Sequence, residues 1–337
     1  MPRTRLFSGI QPTGILHIGN YLGAIANWVR LQDEYDAIYC VVDYHAITIE
    51  YDTTAYAART RDLAAALLAC GLDPARCTLF VQSHVPQHTE LAWIFNTVTP
   101  MGDLGRMTQF KDKAARNQDN INTGLFTYPV LQTADILLYR ATRVPVGEDQ
   151  VQHLELAREI TRKFNARFGE TFPEPLPILS ASKRILGLDG QAKMSKSLGN
   201  HVAIDESRDE IWGKLRTAYT DPQRLRRADP GRPEVCNVFT LHQAFSPAEQ
   251  VAEIDRECRV AGIGCVDCKK RLLEHLDAHL TPIRDRLNEL RQRPADVDAI
   301  LHAGGARCRQ IAAETMDLVH GRLGLLRDAP GTTEASE

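Results

Sequence analysis

The chain has 337 residues, of which 43% are hydrophobic and 25% charged, a composition typical of a soluble globular protein with room for one large α/β domain and a smaller one. Its net charge is −3, from 40 basic and 43 acidic residues, so a nucleic-acid partner would need a local basic surface. No long apolar stretch precedes Gly14, and the apolar run at 37–49 contains Asp43 and His45. These features argue against a signal peptide and a membrane span, and they predict a cytoplasmic protein.

Strands and helices alternate through the first part of the chain. The run Ala37–Val42 is continuous and apolar, as expected for a buried strand of a parallel sheet. The βαβαβ order predicts an α/β fold with a Rossmann-like, doubly wound parallel sheet. The predicted elements are a strand at Arg5–Ile10, a helix from Gly19 to about Asp33, a strand at Ala37–Val42, a helix at Thr54–Cys70 and a strand at Thr78–Gln82.

The alternation is lost over residues 87–130, which predict a helical insert. Its polar segment Lys111–Asn122 predicts a mobile loop. The alternation then resumes, and we expect one domain over residues 1–200. The later predicted elements are a helix at Leu131–Tyr139, a strand at Val144–Val146, a helix at Gln152–Phe168, an extended Pro-rich stretch at Phe172–Pro177 and a loop at Ser182–Asn200.

The chain becomes mostly helical after Ile204. Leucines between Leu272 and Leu290 recur on one side of a long amphipathic helix, and a last helix surrounds Met316. These patterns predict an all-helical domain at 201–327. The polar residues 328–337 predict a disordered tail.

The first chemical signature lies between the first strand and the first helix, at residues 11–20 (QPTGILHIGN). Gly14 and Gly19 permit close approach of a ligand to the backbone, and Gly19 and Asn20 stand where a helix begins, a position that attracts phosphate. The side chains of Gln11, His17 and Asn20 add polar groups near the same point. The glycines alone fit a tight strand-to-helix turn, but the full set favours a nucleotide site. The spacing is neither that of a dinucleotide fold nor that of a P-loop.

The second signature is the pentapeptide at 193–197, KMSKS. Lys193 and Lys196 stand three residues apart in a serine-rich loop, where both ammonium groups can close around a triphosphate. They could neutralise the charge that develops on departing pyrophosphate. A solvated basic loop is the alternative, but the order of the two signatures after an α/β core disfavours coincidence.

Four of the eight cysteines fall within 236–268, at Cys236, Cys258, Cys265 and Cys268. Four thiolates suit either tetrahedral zinc or a [4Fe–4S] cluster. A structural zinc site more often has two close pairs of ligands, whereas here only Cys265 and Cys268 are close. The spacing therefore favours the cluster over zinc.

Together the two signatures resemble those of class I aminoacyl-tRNA synthetases. In the first signature, Asn20 stands where that family usually has a second histidine. The segments FSGIQPTG, GNYLGAI, VDYHAIT, FVQSHVP, MTQFKDK, ADILLY and VPVGEDQVQHLELAREI resemble the tryptophanyl-tRNA synthetases, from about Phe7 to about Gly324. The resemblance implies a homodimer formed through the insert. It also implies that ATP, as its Mg²⁺ complex, L-tryptophan and tRNA(Trp) are the substrates, and that the helical domain reads the anticodon.

The resemblance also assigns residues to the ATP site. The catalytic residues that it implies are Gln11, Lys113, Lys193 and Lys196. The ATP-binding residues that it implies are Gln11, Pro12, Thr13, His17, Gly19, Asn20, Lys111, Gly147, Glu148, Asp149, Ile185, Lys193, Met194, Ser195, Lys196 and Ser197.

The same resemblance makes Asp135 the acceptor of the indole N–H of tryptophan. A buried acceptor rejects phenylalanine, which has no N–H to offer. The chain has Gln132 where many bacterial tryptophan enzymes have Met, and this glutamine can add a hydrogen bond in the pocket. The other tryptophan-binding residues that the resemblance implies are Phe7, His45, Tyr128, Val144, Val146 and Gln150.

A subset of tryptophanyl-tRNA synthetases carries a [4Fe–4S] cluster at a motif that IGCVDCKK resembles, and that subset also has glutamine at the position of Gln132. Basic residues surround the motif and could form a local surface for RNA. They are Arg216, Arg224, Arg226, Arg227, Arg232, Lys269, Lys270 and Arg271.

Three alternatives remain at this stage. Tyrosyl-tRNA synthetases have a sibling fold and differ in the amino acid that they activate. A free-standing nucleotidylyltransferase is disfavoured by the long helical carboxyl-terminal part. A non-catalytic RNA-binding paralogue is disfavoured because both signatures are intact.

Overall fold

A five-stranded sheet, every pairing of which is parallel, organises the part of the chain that the structure describes, in strand order β3-β2-β1-β4-β5. The structure is a computed structural model and describes residues 3–108, 121–147, 150–179 and 185–326. The strands are β1 (Arg5–Ile10), β2 (Asp36–Val41), β3 (Thr78–Val81), β4 (Arg143–Val146) and β5 (Leu176–Leu179). The predicted doubly wound α/β fold is therefore confirmed.

The helices before residue 180 connect these strands. The first of them is interrupted, because a π-helical turn at Tyr21–Ile25 separates α1 from α2. Such turns recur at functional sites. These helices are α1 (Ile18–Asn20), α2 (Ala26–Leu31), α3 (Asp43–Ala46), α4 (Tyr56–Ala69), α5 (Gln87–Asn96), α6 (Met101–Gly105), α7 (Thr123–Leu137) and α8 (Val151–Phe168).

The carboxyl-terminal part is helical, as predicted. Its helices are α9 (Arg208–Leu215), α10 (Asn237–Phe245), α11 (Ala248–Arg259), α12 (Cys265–Gln292) and α13 (Pro294–Leu323). Among the helices of the described ranges, none is both long enough and apolar enough to cross a bilayer.

Two apolar cores lie on the two faces of the sheet, and the carboxyl-terminal helices contribute to both. Leu272, Leu276 and Leu280 of α12 share one core with Leu63 and Leu67 of α4. Cys308, Ala312 and Met316 of α13 share the other core with residues of β1, β2 and α7. The helices after residue 201 therefore pack directly against the sheet and its connecting helices. The division into domains at residue 200 stays a prediction.

Two elements differ from their predicted bounds. Helix α7 begins at Thr123, before the predicted start at Leu131, because the Asn122 side chain caps it by accepting from Leu125 N at 2.9 Å. The Pro-rich stretch supplies the edge strand β5, a position where proline is tolerated. The predicted mobile loop and the predicted disordered tail lie almost wholly outside the described residues.

The strand order reverses at β1. The chain runs from β1 through β2 to β3 on one side, then returns to place β4 beside β1 on the other. In doubly wound folds, ligands bind in the crevice outside the carboxyl ends of the strands at such a point. Here the crevice opens between the ends of β1 and β4, where residues 11–20 and Gly147 follow.

Candidate active site

A cleft of about 1520 Å³ opens at this crevice. Residues of both signatures line it, together with residues of α7 and of the end of β4. The sequence-predicted site residues that line the cleft are Phe7, Gln11, Thr13, His17, Asn20, His45, Tyr128, Gln132, Asp135, Val144, Val146, Gly147, Gln150, Lys193, Met194, Ser195, Lys196 and Ser197. The fold thus brings segments far apart in the sequence to one site.

The remaining predicted residues fall into two groups. Pro12, Gly19 and Ile185 support the cleft without lining it. Lys111, Lys113, Glu148 and Asp149 lie outside the described residues.

His17 and Asn20 cap the first helix reciprocally. Asn20 N donates to His17 Nδ1 at 3.3 Å, and His17 N donates to Asn20 Oδ1 at 3.2 Å. Burial, aided by the charges of His201 and Lys193, lowers the pKa of His17 to about 4, so the ring is neutral at pH 7. Because Nδ1 accepts, the single ring proton must lie on Nε2. The signature therefore offers a neutral imidazole N–H and the Asn20 amide as donors at a helix start.

Hydrogen bonds from backbone and side-chain groups other than the lysine ammonium groups hold the KMSKS loop. Asn200 Oδ1 accepts from Ser195 N at 2.8 Å, and Asn200 Nδ2 donates to Asp189 Oδ2 at 2.7 Å. Within the described ranges, no ion pair or hydrogen bond engages the ammonium group of Lys193 or Lys196. Both positive charges are therefore available to an anion in the cleft.

Gly19 lets the two signatures approach each other. A methyl group added at Gly19 would lie 3.0 Å from two atoms of the His17 ring and 3.2 Å from Met194 Cβ. Antiparallel backbone bonds reinforce this approach: Ile18 N donates to Val202 O, and Ile204 N donates to Leu16 O, each at 3.0 Å. The lysine loop is thus fixed beside the start of the first helix.

Asp135 is the most buried charged group of the cleft, at 1% exposure. Three side chains contact its carboxylate: Gln82 Nε2 and His88 Nδ1 each lie 2.7 Å from Oδ1, and His45 Nε2 lies 2.7 Å from Oδ2. Burial opposes ionisation, but the charges and hydrogen bonds of His45 and His88 outweigh it and hold the pKa of Asp135 below its ordinary value. Asp135 is therefore a buried group of the site and not a surface carboxylate on its helix.

Aromatic and apolar side chains form the walls around Asp135. The Phe7 ring stacks on that of Tyr139, with centroids 5.5 Å apart. The Tyr128 hydroxyl lies 2.9 Å from His153 Nε2, and Val144 and Val146 are buried beside it in the cleft. A flat apolar ring with one polar N–H suits such a pocket.

The sequence analysis missed Gln82 and His88. Each lies far along the chain from Asp135, at separations of 53 and 47 residues, and neither belongs to a local chemical motif. The only signal was the position of Gln82 at the carboxyl end of a buried strand, where site residues concentrate in this fold class.

The four clustered cysteines converge but do not form a metal site. Burial raises the pKa of Cys268 to about 12, and the charges of Cys236, Cys258 and Cys265 add to the shift, so the thiols are neighbours. Nevertheless, across the described residues no group of three or more His, Cys, Asp or Glu side chains is arranged to hold a metal ion. The ligand set therefore stays a prediction.

Most of the basic residues near the cysteines contact the protein itself. Arg224 Nη2 donates to Ile263 O at 2.7 Å, and its Nη1 lies 3.6 Å from Cys258 Sγ. Arg227 donates to Ala261 O and Gly262 O, and Arg232 is paired with Asp221 at 2.6 Å. The buried Lys269 donates to two backbone carbonyls. Arg224 and Arg227 thus stabilise the turn before α12, while Arg232 and Lys269 hold the segment at 216–221, and these contacts reduce the basic surface expected there.

Known proteins are similar to this chain over most of its length. Residues 1–281 match the family model described as "tRNA synthetases class I (W and Y)". The chain is 53% identical to the tryptophan–tRNA ligase of Deinococcus radiodurans over 96% of its own length and 99% of that protein. It is 46% identical to that of Wolinella succinogenes, covering 97% of this chain and 100% of the relative.

A solved structure shares the fold over almost the whole chain. The tryptophanyl-tRNA synthetase of Campylobacter jejuni, solved in complex with ADP and tryptophan, superposes with a TM-score of 0.87 at 36% identity. The match covers 96% of this chain and 100% of that one.

Proposed function

The chain belongs to the class I tRNA synthetases and, within them, to the tryptophan–tRNA ligases, and from this premise we propose how its residues activate tryptophan with ATP and charge tRNA(Trp). The observation that carries the proposal is a single cleft that contains both nucleotide signatures and the buried carboxylate of Asp135. One cleft thus contains both the groups that bind the phosphates of ATP and the group that selects the amino acid.

In the first step, an oxygen of the tryptophan carboxylate attacks the α-phosphorus of ATP. A mixed anhydride bond forms, the bond from the α-phosphorus to the bridging oxygen breaks, and pyrophosphate leaves. Lys193 and Lys196, whose ammonium groups have no ion pair or hydrogen bond within the described ranges, stabilise the charge that develops on the leaving group. Mg²⁺ enters with ATP and neutralises part of the phosphate charge.

The nucleotide lies over the start of the first helix. The Nε2–H of neutral His17 and the amide of Asn20 donate to it, and the helix start attracts its phosphates. Gln11 lies at the end of β1 and lines the same part of the cleft. The protein thus acts by positioning and by charge stabilisation, without a covalent intermediate of its own.

Asp135 selects the amino acid by accepting the indole N–H. Phe7, Val144 and Val146 contact the ring, while Tyr128, Gln132 and Gln150 supply polar groups. An amino acid whose side chain has no N–H facing Asp135 would leave the buried carboxylate with one fewer donor. The binding of such an amino acid is therefore disfavoured.

In the second step, a hydroxyl of the terminal adenosine of tRNA attacks the carbonyl carbon of the anhydride. The ester bond to the ribose forms, the bond to the phosphate oxygen breaks, and AMP leaves. The helices after residue 201 are proposed to read the anticodon.

A homodimer is proposed through the insert. Two large apolar side chains of its described part are strongly exposed: Trp93 at 72% and Met101 at 76%. Exposed apolar surface of this kind is typical of an interface. Sedimentation at several concentrations tests the proposal, and a monomer at micromolar concentration would contradict it.

The four cysteines are proposed to bind a [4Fe–4S] cluster. The proposal rests on their spacing and on the convergence of the thiols, and side-chain rearrangement is needed to bring them to ligating positions. A bound cluster would link the starts of α10 and α12 to the end of α11. Anaerobic purification should give roughly four irons per chain and broad visible absorbance; stoichiometric zinc without iron would refute it.

The proposed function is tested by ATP–pyrophosphate exchange. Exchange should depend on tryptophan and not on tyrosine. Exchange with tyrosine alone would support the sibling synthetase, and no exchange with either amino acid would support a non-catalytic paralogue.

A further inference from the structure

The carboxylate of Asp135 has one acceptor position left. An ionised carboxylate offers about four lone-pair positions, two on each oxygen. Gln82 and His88 occupy both positions of Oδ1, whereas His45 is the one described residue that contacts Oδ2, each at 2.7 Å. The open position is therefore on Oδ2.

The two oxygens face different sides of the pocket. His45 and Asp135 line the cleft, but Gln82 and His88 do not; both are fully buried behind Asp135, at 0% exposure. Oδ2 therefore faces the ligand, and Oδ1 faces the protein interior.

A backbone hydrogen bond on the side away from Asp135 fixes the orientation of the Gln82 amide. Its Oε1 accepts from Tyr44 N at 3.1 Å. Because the oxygen is used in this way, the NH₂ group must face Asp135, where it donates to Oδ1.

The ring of His88 is fixed in the same manner. A carboxylate only accepts, so Nδ1 must carry the proton that Oδ1 receives. On the other side of the ring, Nε2 is hydrogen-bonded to the Tyr139 hydroxyl, 2.7 Å away. The thiol of Cys308 on α13 lies within hydrogen-bonding reach of that hydroxyl. A chain of buried groups thus fixes the direction of the His88 ring.

We propose that Gln82 and His88 are positioning residues for tryptophan selection: they saturate Oδ1 and direct the indole N–H to the one open acceptor position, on Oδ2 beside His45. The inference rests on the proposed function and names the groups that make Asp135 selective. Without them Oδ1 would be under-coordinated, and the carboxylate could rotate about its χ2 bond and offer the wrong oxygen to the ligand.

The test exploits the shape of the amide side chains. Asparagine places its NH₂ where histidine has Nδ1, whereas glutamine places it where histidine has Nε2. His88→Asn therefore keeps a donor to Oδ1, and His88→Gln directs its donor towards Tyr139. The two variants are matched in chemistry and differ in position. Thermal unfolding of each establishes that it is folded.

Each variant is assayed with tryptophan and with β-(3-benzothienyl)alanine, an analogue of similar shape in which sulfur replaces the N–H. The readout is the ratio of kcat/KM for the two amino acids in pyrophosphate exchange. Loss of one charge-assisted hydrogen bond corresponds to roughly a 10-fold change. We expect His88→Gln to lower the ratio roughly 10-fold and His88→Asn to stay within about 3-fold of the parent.

The outcomes separate the inference from the proposed function. If both variants reduce activity with both amino acids by the same factor, His88 has only a structural role and the inference is wrong. If His88→Asn and His88→Gln lower the ratio equally, the donor to Oδ1 is not the cause, and the inference is again overturned. If the parent protein does not exchange with tryptophan at all, the proposed function itself fails.

Discussion

Replacing Asp135 by asparagine isolates the hydrogen bond that we assign to the indole N–H. The Asn Oδ1 can still accept from Gln82 and His88, and its NH₂ can donate to His45 in the other ring tautomer. The variant should therefore fold. However, the NH₂ would then face the indole N–H, donor against donor.

The expected magnitude follows from the bonds that change. A hydrogen bond to a charged acceptor contributes about 1.5–3 kcal/mol, and burying the unpaired N–H costs a similar amount. The loss in kcat/KM for tryptophan should be at least about 100-fold, since about 1.4 kcal/mol corresponds to a factor of ten. ATP binding, measured by the KM for ATP, should change little because the variant lies at the amino-acid end of the cleft.

The assay is pyrophosphate exchange over a tryptophan concentration series, with thermal unfolding as the control for folding. Asp135→Ala is the contrasting variant. It leaves three buried donors without an acceptor, so it should also lower the unfolding free energy, by about 3–5 kcal/mol. A folded Asp135→Asn protein with kcat/KM within about threefold of the parent would refute the role assigned to Asp135.

The remaining predictions concern the nucleotide half of the cleft. Lys196→Ala should lower kcat in exchange roughly 100-fold while leaving the binding of tryptophan unchanged, because the lysine acts on the leaving pyrophosphate; equal loss of tryptophan binding would contradict this. Gly19→Ala should lower activity at least tenfold, because the added methyl lies 3.0 Å from the His17 ring and 3.2 Å from Met194 Cβ; Gly213→Ala, in α9 outside the cleft, where an added methyl meets nothing within 4 Å, is the control. The pKa of His17 falls from 6.5 to about 4 on folding, so the folded protein binds fewer protons than the unfolded chain in that window and loses stability as the pH falls through it. In His17→Asn this loss between pH 6.5 and 4 should be smaller by about 2 kcal/mol, a figure reduced for solvent screening; parallel unfolding curves for both proteins would refute the assignment.

The sheet could be predicted because its strands carry local signals. Ala37–Val42 and Thr78–Gln82 are apolar runs bounded by polar residues, and both became strands within one residue of the prediction at each end. The start of α7 could not be predicted in the same way, because Pro129 lies inside the helix and a distant contact anchors its cap: Asn122 Nδ2 donates to Thr48 O at 2.9 Å. Tertiary contacts decided that boundary.

The site residues also fall into two groups: those that belong to a local motif and could be predicted, and those that only tertiary contacts bring to the site. The two signatures are contiguous in sequence, so their residues could be named before their position was known. Gln82 and His88 carry no motif, and only folding brings them to Asp135. The charge of the arginines before α12 suggested an RNA-binding surface, which stays a prediction, but Arg224 and Arg227 also donate inward to backbone carbonyls. Net charge cannot distinguish these two uses of a guanidinium group.

The most direct test of the account is aminoacylation of purified tRNA(Trp) by the anaerobically purified chain, with tryptophan and tyrosine supplied in separate reactions. We expect ATP-dependent formation of tryptophanyl-tRNA, no charging with tyrosine, and loss of tryptophan charging in Asp135→Asn. Charging with tyrosine, or unchanged charging with tryptophan in that variant, would contradict it.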